Sequence, residues 1–178
     1  GLPKVELHVH FDGALDISLL FQIAKRRLEK LPESADSSVS GKPMPLRELV
    51  RSCQSLADYE KLVTCKGKQS FKAMLDCFSI FLPAVQGSWN DIEELAYKFC
   101  ACQAQQNIVY TEVRYSPHFL ASGDLFAEKA VDPRPALDAV TRGLRKGCAE
   151  YGIVVNQIIC CISFQPAWSM ECVELAAE

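Results

Sequence analysis

The chain has 178 residues, of which 49% are hydrophobic and 23% are charged, and its formal net charge at pH 7 is −3. This length suits one ordinary domain with a sizeable core, and the slightly acidic balance argues against a nucleic-acid-binding surface. The sequence contains no run of eighteen apolar residues and no recognisable signal peptide, so we expect no membrane span.

The cysteines do not form a pattern typical of disulfides. There are nine of them, an odd number. Cys100 and Cys102 fall in a helical pattern, where side chains two positions apart diverge, and Cys160 and Cys161 are neighbours in a strand pattern and point to opposite faces. We therefore expect free cysteines that pack as small hydrophobic residues in a reducing compartment, and we predict a cytoplasmic location.

The first predicted strand, from Pro3 to Gly13, carries two of the three histidines of the chain. Side chains at positions i and i+2 of a strand share a face, so His8 and His10 converge and Asp12 follows on the same face. The apolar residues of this stretch are expected on the other face: Leu7, Val9 and Phe11. Two imidazoles at a strand end can bind one divalent metal ion. The alternative is a strand with two half-exposed histidines that bind nothing.

The next segments are predominantly helical. A helix is predicted after Asp16, a surface loop rich in Ser, Pro and Gly from Leu31 to Pro45, and two short amphipathic helices over 45–53 and 56–63. The stretch from Phe71 to Val85 predicts a helix that is more apolar than one buried stripe needs, which is typical of a helix packed on two sides.

The second half of the chain alternates helices and strands. A helix capped by Ser88 and ended by Asn107 precedes a strand over 108–115, and a helix opened by Asp132-Pro133 and ended by Gly152 precedes a strand over 153–163. The latter strand is almost uniformly apolar, as expected for burial on both faces. A last helix is predicted over 170–177.

This order predicts an α/β fold with parallel strands and right-handed crossovers. No Gly-x-Gly-x-x-Gly follows a strand, which disfavours a dinucleotide-binding fold. A barrel fits better, with functional groups at the carboxyl ends of its strands, which is where His8, His10 and Asp12 stand. In the second strand Glu112 and Arg114 share a face and predict a structural ion pair, and His118, just beyond it, predicts a structural role.

Three segments, taken together, resemble signatures of the adenosine deaminase family: Val5–Ala14, Val109–His118 and Ile158–Trp168. That family consists of zinc-dependent (β/α)8 TIM barrels within the metal-dependent hydrolase superfamily. The resemblance covers nearly the whole chain and maps onto the first, N-terminal half of the family's length. Ser163-Phe164 departs from it, because family members usually carry basic residues there.

The resemblance implies that residues 1–178 are the N-terminal part of a single barrel domain, an incomplete barrel of about three strands with extra helices after the first. It implies zinc-dependent hydrolysis of adenosine and 2'-deoxyadenosine to inosine and 2'-deoxyinosine, a reaction of purine salvage. By the same resemblance His8 and His10 are metal ligands, and His10 and Asp12 contact the purine nucleoside. Leu75 and Phe78 fall where the family places apolar residues of the substrate pocket, whose walls exclude water from the base.

The family's remaining ligands and its catalytic glutamate have no counterpart in this sequence, so no catalytic residue is assigned and we expect the chain alone to be inactive. Two ligands leave a tetrahedral zinc site incomplete. Two other possibilities stay open. The chain can be a truncated, non-catalytic product, or it can belong to another metal-dependent amidohydrolase that acts on a different amine or ring amide.

Overall fold

The computed structural model describes residues 1–30, 46–67, 70–121 and 131–178. The predicted surface loop from Leu31 to Pro45 lies outside the described residues. The chain divides into two compact units. We call residues 1–16 with 86–178 the sheet unit and residues 17–85 the helical unit.

The secondary structure of the described residues, in chain order, is β1 (Lys4–His10), α1 (Ile17–Lys30), α2 (Leu46–Ser52), α3 (Leu56–Val63), α4 (Phe71–Phe81), a 3₁₀ helix (Leu82–Ala84), α5 (Trp89–Gln105), β2 (Ile108–Tyr115), α6 (Pro117–Ala121), α7 (Arg134–Tyr151), β3 (Val154–Ile159), a 3₁₀ helix (Pro166–Trp168) and α8 (Ser169–Ala177). None of the helices described combines the length and the hydropathy needed to cross a lipid bilayer.

The sheet unit is built on the three strands, which are parallel and lie in the order β1-β2-β3. The predicted parallel α/β arrangement is therefore confirmed. Thr111, Val113 and Tyr115 of β2 are at most 1% exposed. Helices α5 and α7 pack against each other, and α5 also contacts β2. The carboxyl ends of all three strands consequently lie at one edge of a sheet whose central strand is anchored in a core.

Strand β3 differs from its prediction in length and in burial. It ends at Ile159 rather than at residue 163, because the backbone turns after Cys160 and Gln165 donates its N–H to the carbonyl of Ile162. Val154 is 53% exposed and Ile158 is 36% exposed. The strand is thus not buried on both faces, since the face that carries Val154, Asn156 and Ile158 is exposed.

The helical unit packs α1 to α4 around a separate apolar core. Tyr59 is fully buried and its ring stacks on that of Phe21 with centroids 4.8 Å apart. Leu49 and Ile23 are also fully buried. Ser55 begins α3 with a capping box, in which its side chain and Asp58 each accept a backbone N–H of the other. The two short helices predicted from sequence are therefore present.

Helix α4 is shorter and more exposed than the apolar stretch predicts. It ends at Phe81, and Pro83 continues the chain as a 3₁₀ turn, because a proline ring favours the start of such a turn and cannot donate a helical hydrogen bond. Met74 is 40% exposed. Among its described side chains, α4 is not packed on two sides.

Candidate metal and substrate site

The first strand brings His8 and His10 together at its carboxyl end. Their ring centroids are 5.5 Å apart and the rings are tilted by 37°, and the His10 side chain is 54% exposed. Two accessible imidazoles at this separation lie on the same side of the chain, as the i, i+2 spacing predicts. Two accessible imidazoles this close together can share a divalent cation.

The strand is not a simple alternation, however. Its register with β2 shifts between Glu6 and Val9, a β-bulge that contains Leu7 and His8. Leu7 is 56% exposed rather than packed on the face opposite the histidines. The bulge breaks the period of two on which that expectation rested.

The turn after β1 is anchored by Phe11, which is 1% exposed. Its ring packs edge-on against Phe99 of α5 and Tyr115 of β2, with centroids 6.1 Å and 5.8 Å away. Its backbone N–H donates to the carbonyl of Arg114 at 2.9 Å. The end of β1 is thus fixed to the core immediately after His10.

Asp12 lies in this turn and not on the strand, which ends at His10. The side chain is nevertheless close to the pair, with Oδ1 4.0 Å from Nδ1 of His10. Asp12 is 8% exposed, and Oδ1 has no hydrogen-bond partner among the described residues. Burial raises the pKa of this carboxyl, and the neighbouring His10 and the backbone amides of Asp12 and Gly13 oppose that rise. The carboxylate therefore carries a buried oxygen that is free to accept a donor.

Arg114 is the residue of the site that sequence reasoning misread. It pairs with His10 in the sheet register, and its Nη2 donates to the backbone carbonyl of Leu7 at 2.8 Å. The expected ion pair with Glu112 does not form; Glu112 instead accepts the hydroxyl of Tyr110 at 3.1 Å. Residues two apart on a strand share a face, but this does not make them partners. Glu112 bonds to the hydroxyl of Tyr110, and Arg114 bonds to the carbonyl of Leu7 in the bulge.

Cys160 follows β3 at the same carboxyl edge of the sheet. Its backbone N–H donates to the carbonyl of Tyr115 at 2.9 Å. Burial raises the pKa of the Cys160 thiol; the charge of Arg114 lowers it and that of Asp12 raises it.

His118 has the structural role that the sequence predicts. It is 1% exposed, its Nε2 lies 2.8 Å from Oε2 of Glu171, and its ring stacks on Trp168 with centroids 4.7 Å apart. Nδ1 lies 3.9 Å from the sulfur of Cys172. The ring therefore ties α6 to the start of α8.

The predicted pocket residues Leu75 and Phe78 belong to α4 in the helical unit. Phe78 is half-buried and its ring centroid lies 5.3 Å from that of Phe81. The side chain of Leu75 is outside the described part of the structure. Their role in the pocket stays a prediction.

The described side chains by themselves do not make up a complete metal site. No group of three or more His, Cys, Asp and Glu residues suitable for one ion occurs among them. Two accessible imidazoles beside a carboxylate with an unpartnered oxygen do fit two positions of a zinc site, whose remaining ligands must come from elsewhere.

A parallel α/β sheet with these groups at its carboxyl edge is the arrangement of a barrel-type metal-dependent hydrolase. The adenosine deaminase family model matches residues 51–178. Adenosine deaminase of Xenopus tropicalis is 36% identical over 179 residues, which are 97% of this chain and 44% of that protein. The chain therefore belongs to the adenosine deaminase family and spans less than half the length of the relatives that it matches.

Solved structures agree on the fold. The chain superposes on the N6-mAMP deaminase MAPDA of Arabidopsis with a TM-score of 0.67 and 22% identity, covering 99% of this chain and 46% of that one. An amidohydrolase from Burkholderia ambifaria with bound zinc matches with a TM-score of 0.56 and 19% identity, covering 89% of this chain and 35% of that one. The unclosed three-stranded sheet thus corresponds to about half of a TIM-barrel deaminase.

Proposed function

We propose that this chain supplies the first metal-binding strand and part of the substrate pocket of a zinc-dependent deaminase. When complete, that enzyme hydrolyses adenosine and 2'-deoxyadenosine to inosine and 2'-deoxyinosine in purine salvage. The observation that carries the proposal is the His8–His10 pair, 5.5 Å between centroids, beside Asp12 at the carboxyl end of a parallel strand. Membership of the family supports the reaction.

The side chains of this chain have distinct tasks in the proposal. His8 and His10 hold the zinc ion, which when bound supplies a hydroxide near neutral pH by lowering the pKa of a bound water to about 7. Asp12 accepts a ribose hydroxyl on its unpartnered Oδ1. Leu75 and Phe78 form an apolar wall that shields the purine from water.

This division of labour leaves the proton transfers to residues outside this sequence, since its third histidine, His118, is buried against Glu171 and Trp168. We accordingly propose that the 178-residue chain alone does not turn over adenosine. We also propose a reducing compartment such as the cytoplasm, which the nine free cysteines support.

The test uses a hybrid protein, in which this chain replaces the matching segment of the Xenopus tropicalis adenosine deaminase. We expect the hybrid to produce inosine from adenosine. Replacing His8 and His10 together by alanine should lower kcat/KM at least about 1,000-fold, because several kcal/mol of metal contribution are lost. Liquid chromatography of the products measures this and also ranks the substrates: adenosine, 2'-deoxyadenosine, N6-methyl-AMP and adenine would give inosine, 2'-deoxyinosine, IMP and hypoxanthine.

The matched control replaces two exposed lysines, Lys61 and Lys72, by alanine in the same hybrid. Their side chains are 76% and 82% exposed, so activity should stay near the unmodified level. Undiminished inosine formation in the His8→Ala, His10→Ala protein rejects the proposal. If the hybrid prefers another substrate of the panel, the proposed substrate is wrong and the chain belongs to a different branch of the family.

A non-catalytic role is a second candidate, favoured by the exposed apolar side chains on the two outer strands. Val5 and Leu7 of β1 are 59% and 56% exposed, and Val154 of β3 is 53% exposed. Such a sheet can pair with another polypeptide. Turnover of adenosine by the 178-residue chain alone rejects this candidate.

A further inference from the structure

The side chain of Arg114 makes one polar contact within the described part of the chain. Its guanidinium donates from Nη2 to the carbonyl of Leu7 at 2.8 Å, while its Nε is buried without a hydrogen-bond partner there. A hydrogen bond from a charged donor is stronger than one between neutral groups. The Arg114 side chain on β2 is therefore hydrogen-bonded to the backbone of β1.

The acceptor lies in the least regular part of β1. Leu7 belongs to the bulge between Glu6 and Val9, where one extra residue of β1 faces β2 and the regular ladder is interrupted. The backbone N–H of the following residue donates to Oε1 of Glu6 at 3.3 Å, within β1 itself, so its orientation depends on the contacts that hold the bulge. That following residue is His8.

Arg114 also holds the other histidine from the opposite side. It is the register partner of His10, and its own carbonyl accepts the N–H of Phe11 at 2.9 Å. One residue of β2 thus contacts the backbone immediately before His8 through its side chain and immediately after His10 through its carbonyl. These two contacts bracket the three-residue segment that carries both imidazoles.

We infer that Arg114 is a positioning residue for the His8–His10 pair: through the Leu7 carbonyl it holds the bulge in the one geometry that keeps the two rings 5.5 Å apart. The inference rests on the proposed function, since the pair matters only as metal ligands. Groups that orient metal-binding histidines typically contribute 10-fold to 100-fold to metal affinity when removed.

The experiment uses the 178-residue chain and zinc alone, observed by NMR at the histidine rings. The chain has only three histidines, and His118, 1% exposed and outside the site, serves as an internal reference. We expect a nuclear Overhauser effect between the His8 and His10 rings without zinc. On titration those two rings should shift while His118 stays unchanged.

Arg114→Met keeps an unbranched side chain at this position and removes the donors of the guanidinium. We expect the contact between the rings to be lost and the zinc concentration at half-change to rise about 10-fold. Arg114→Lys keeps a charged donor group and should stay within about threefold of the wild type. The matched control is Arg145→Met, at an exposed arginine of α7, which should change neither the ring contact nor the zinc concentration at half-change. All variants keep the same nine cysteines, so any zinc binding by thiols is the same in each.

The inference is overturned if Arg114→Met keeps the contact between the two rings and the same zinc concentration at half-change. If that variant does not fold, as judged by loss of the His118 reference signal, a folded Arg114→Lys decides instead, and a 10-fold loss in it counts against the inference. A wild-type chain whose His8 and His10 rings show neither contact nor response to zinc also overturns the inference, whereas the proposed function is decided separately by inosine formation in the hybrid protein. A normal wild-type response with an unaffected Arg114→Met rejects the positioning role alone.

Discussion

At the scale of single residues, the nine free thiols differ in their chemical environment. Burial raises the pKa of Cys172 to about 11 and that of Cys100 to about 12, whereas Cys161 is exposed. Only the thiolate reacts with alkylating agents. We expect iodoacetamide at pH 8 to label Cys161 first, and Cys100 and Cys172 only when the chain unfolds, as read by peptide mass spectrometry; equal labelling of Cys161 and Cys172 contradicts this.

The same shifts give a pH dependence of stability. The folded pKa values of Cys100 and Cys172 lie above the ordinary value of 9.0, so the unfolded chain releases these protons first as pH rises. Their contribution to the free energy of unfolding is complete below about pH 9 and is lost as pH rises from there toward the folded values. Chemical unfolding at pH 8 and at pH 10 therefore shows the lower midpoint at pH 10, and the difference shrinks in a Cys100→Ala, Cys172→Ala protein.

Residue spacing predicted the closeness of His8 and His10, whose ring centroids lie 5.5 Å apart even though His8 belongs to a bulge. It misplaced Asp12, which the turn rather than the strand carries to within 4.0 Å of His10. It also missed the bond from Arg114 to the Leu7 carbonyl. A bulge and a bond to a backbone carbonyl cannot be predicted from a pattern of side-chain types. The position of Arg114, on the strand that neighbours the histidines, was the one signal in the sequence that it belongs to the site.

At the scale of elements, the packing of α7 on α5 depends on small residues at the contact. A Cβ atom at Gly143 would lie against the carbonyl oxygen of Glu93 and 2.7 Å from Cβ of Ala96. From sequence alone, a glycine inside a helix is expected to destabilise it, because the helix propensity of alanine is about 1 kcal/mol more favourable. Here the close approach reverses that expectation.

We predict that Gly143→Ala destabilises the chain by about 1–3 kcal/mol, because α7 must move away from α5 to make room. Urea unfolding followed by circular dichroism measures the change. Arg145→Ala, at an exposed position of the same helix, is the control and should lie within about 0.5 kcal/mol of the wild type. A Gly143→Ala protein that is more stable than the wild type contradicts the close packing.

The existence of elements was easier to predict than their ends. The left-handed Gly152, with φ 65°, ends α7 as its sequence position indicates. Apolar runs were extended too far: β3 ends at Ile159 and α4 at Phe81. Hydrophobicity reports burial, and the turn after Cys160 and the proline at 83 end these elements without a change in hydrophobicity.

At the scale of the whole molecule, the alternation of strands and helices predicted a parallel sheet, and the three-stranded order β1-β2-β3 confirms it. The expected burial of β3 on both faces was wrong, because that expectation assumed neighbours which the described residues do not provide. The chain spans 44% of the length of the Xenopus tropicalis adenosine deaminase. The activity is therefore a property to be tested in a protein that contains the rest of the barrel.

The zinc content of the hybrid protein tests the metal-binding claim most directly. After gel filtration, atomic emission spectroscopy should find one equivalent of zinc per molecule of the hybrid and of its Lys61→Ala, Lys72→Ala control. The His8→Ala, His10→Ala hybrid should hold almost none, because two of its ligands are gone. A full equivalent of zinc in that folded double variant would contradict the assignment of the pair as metal ligands.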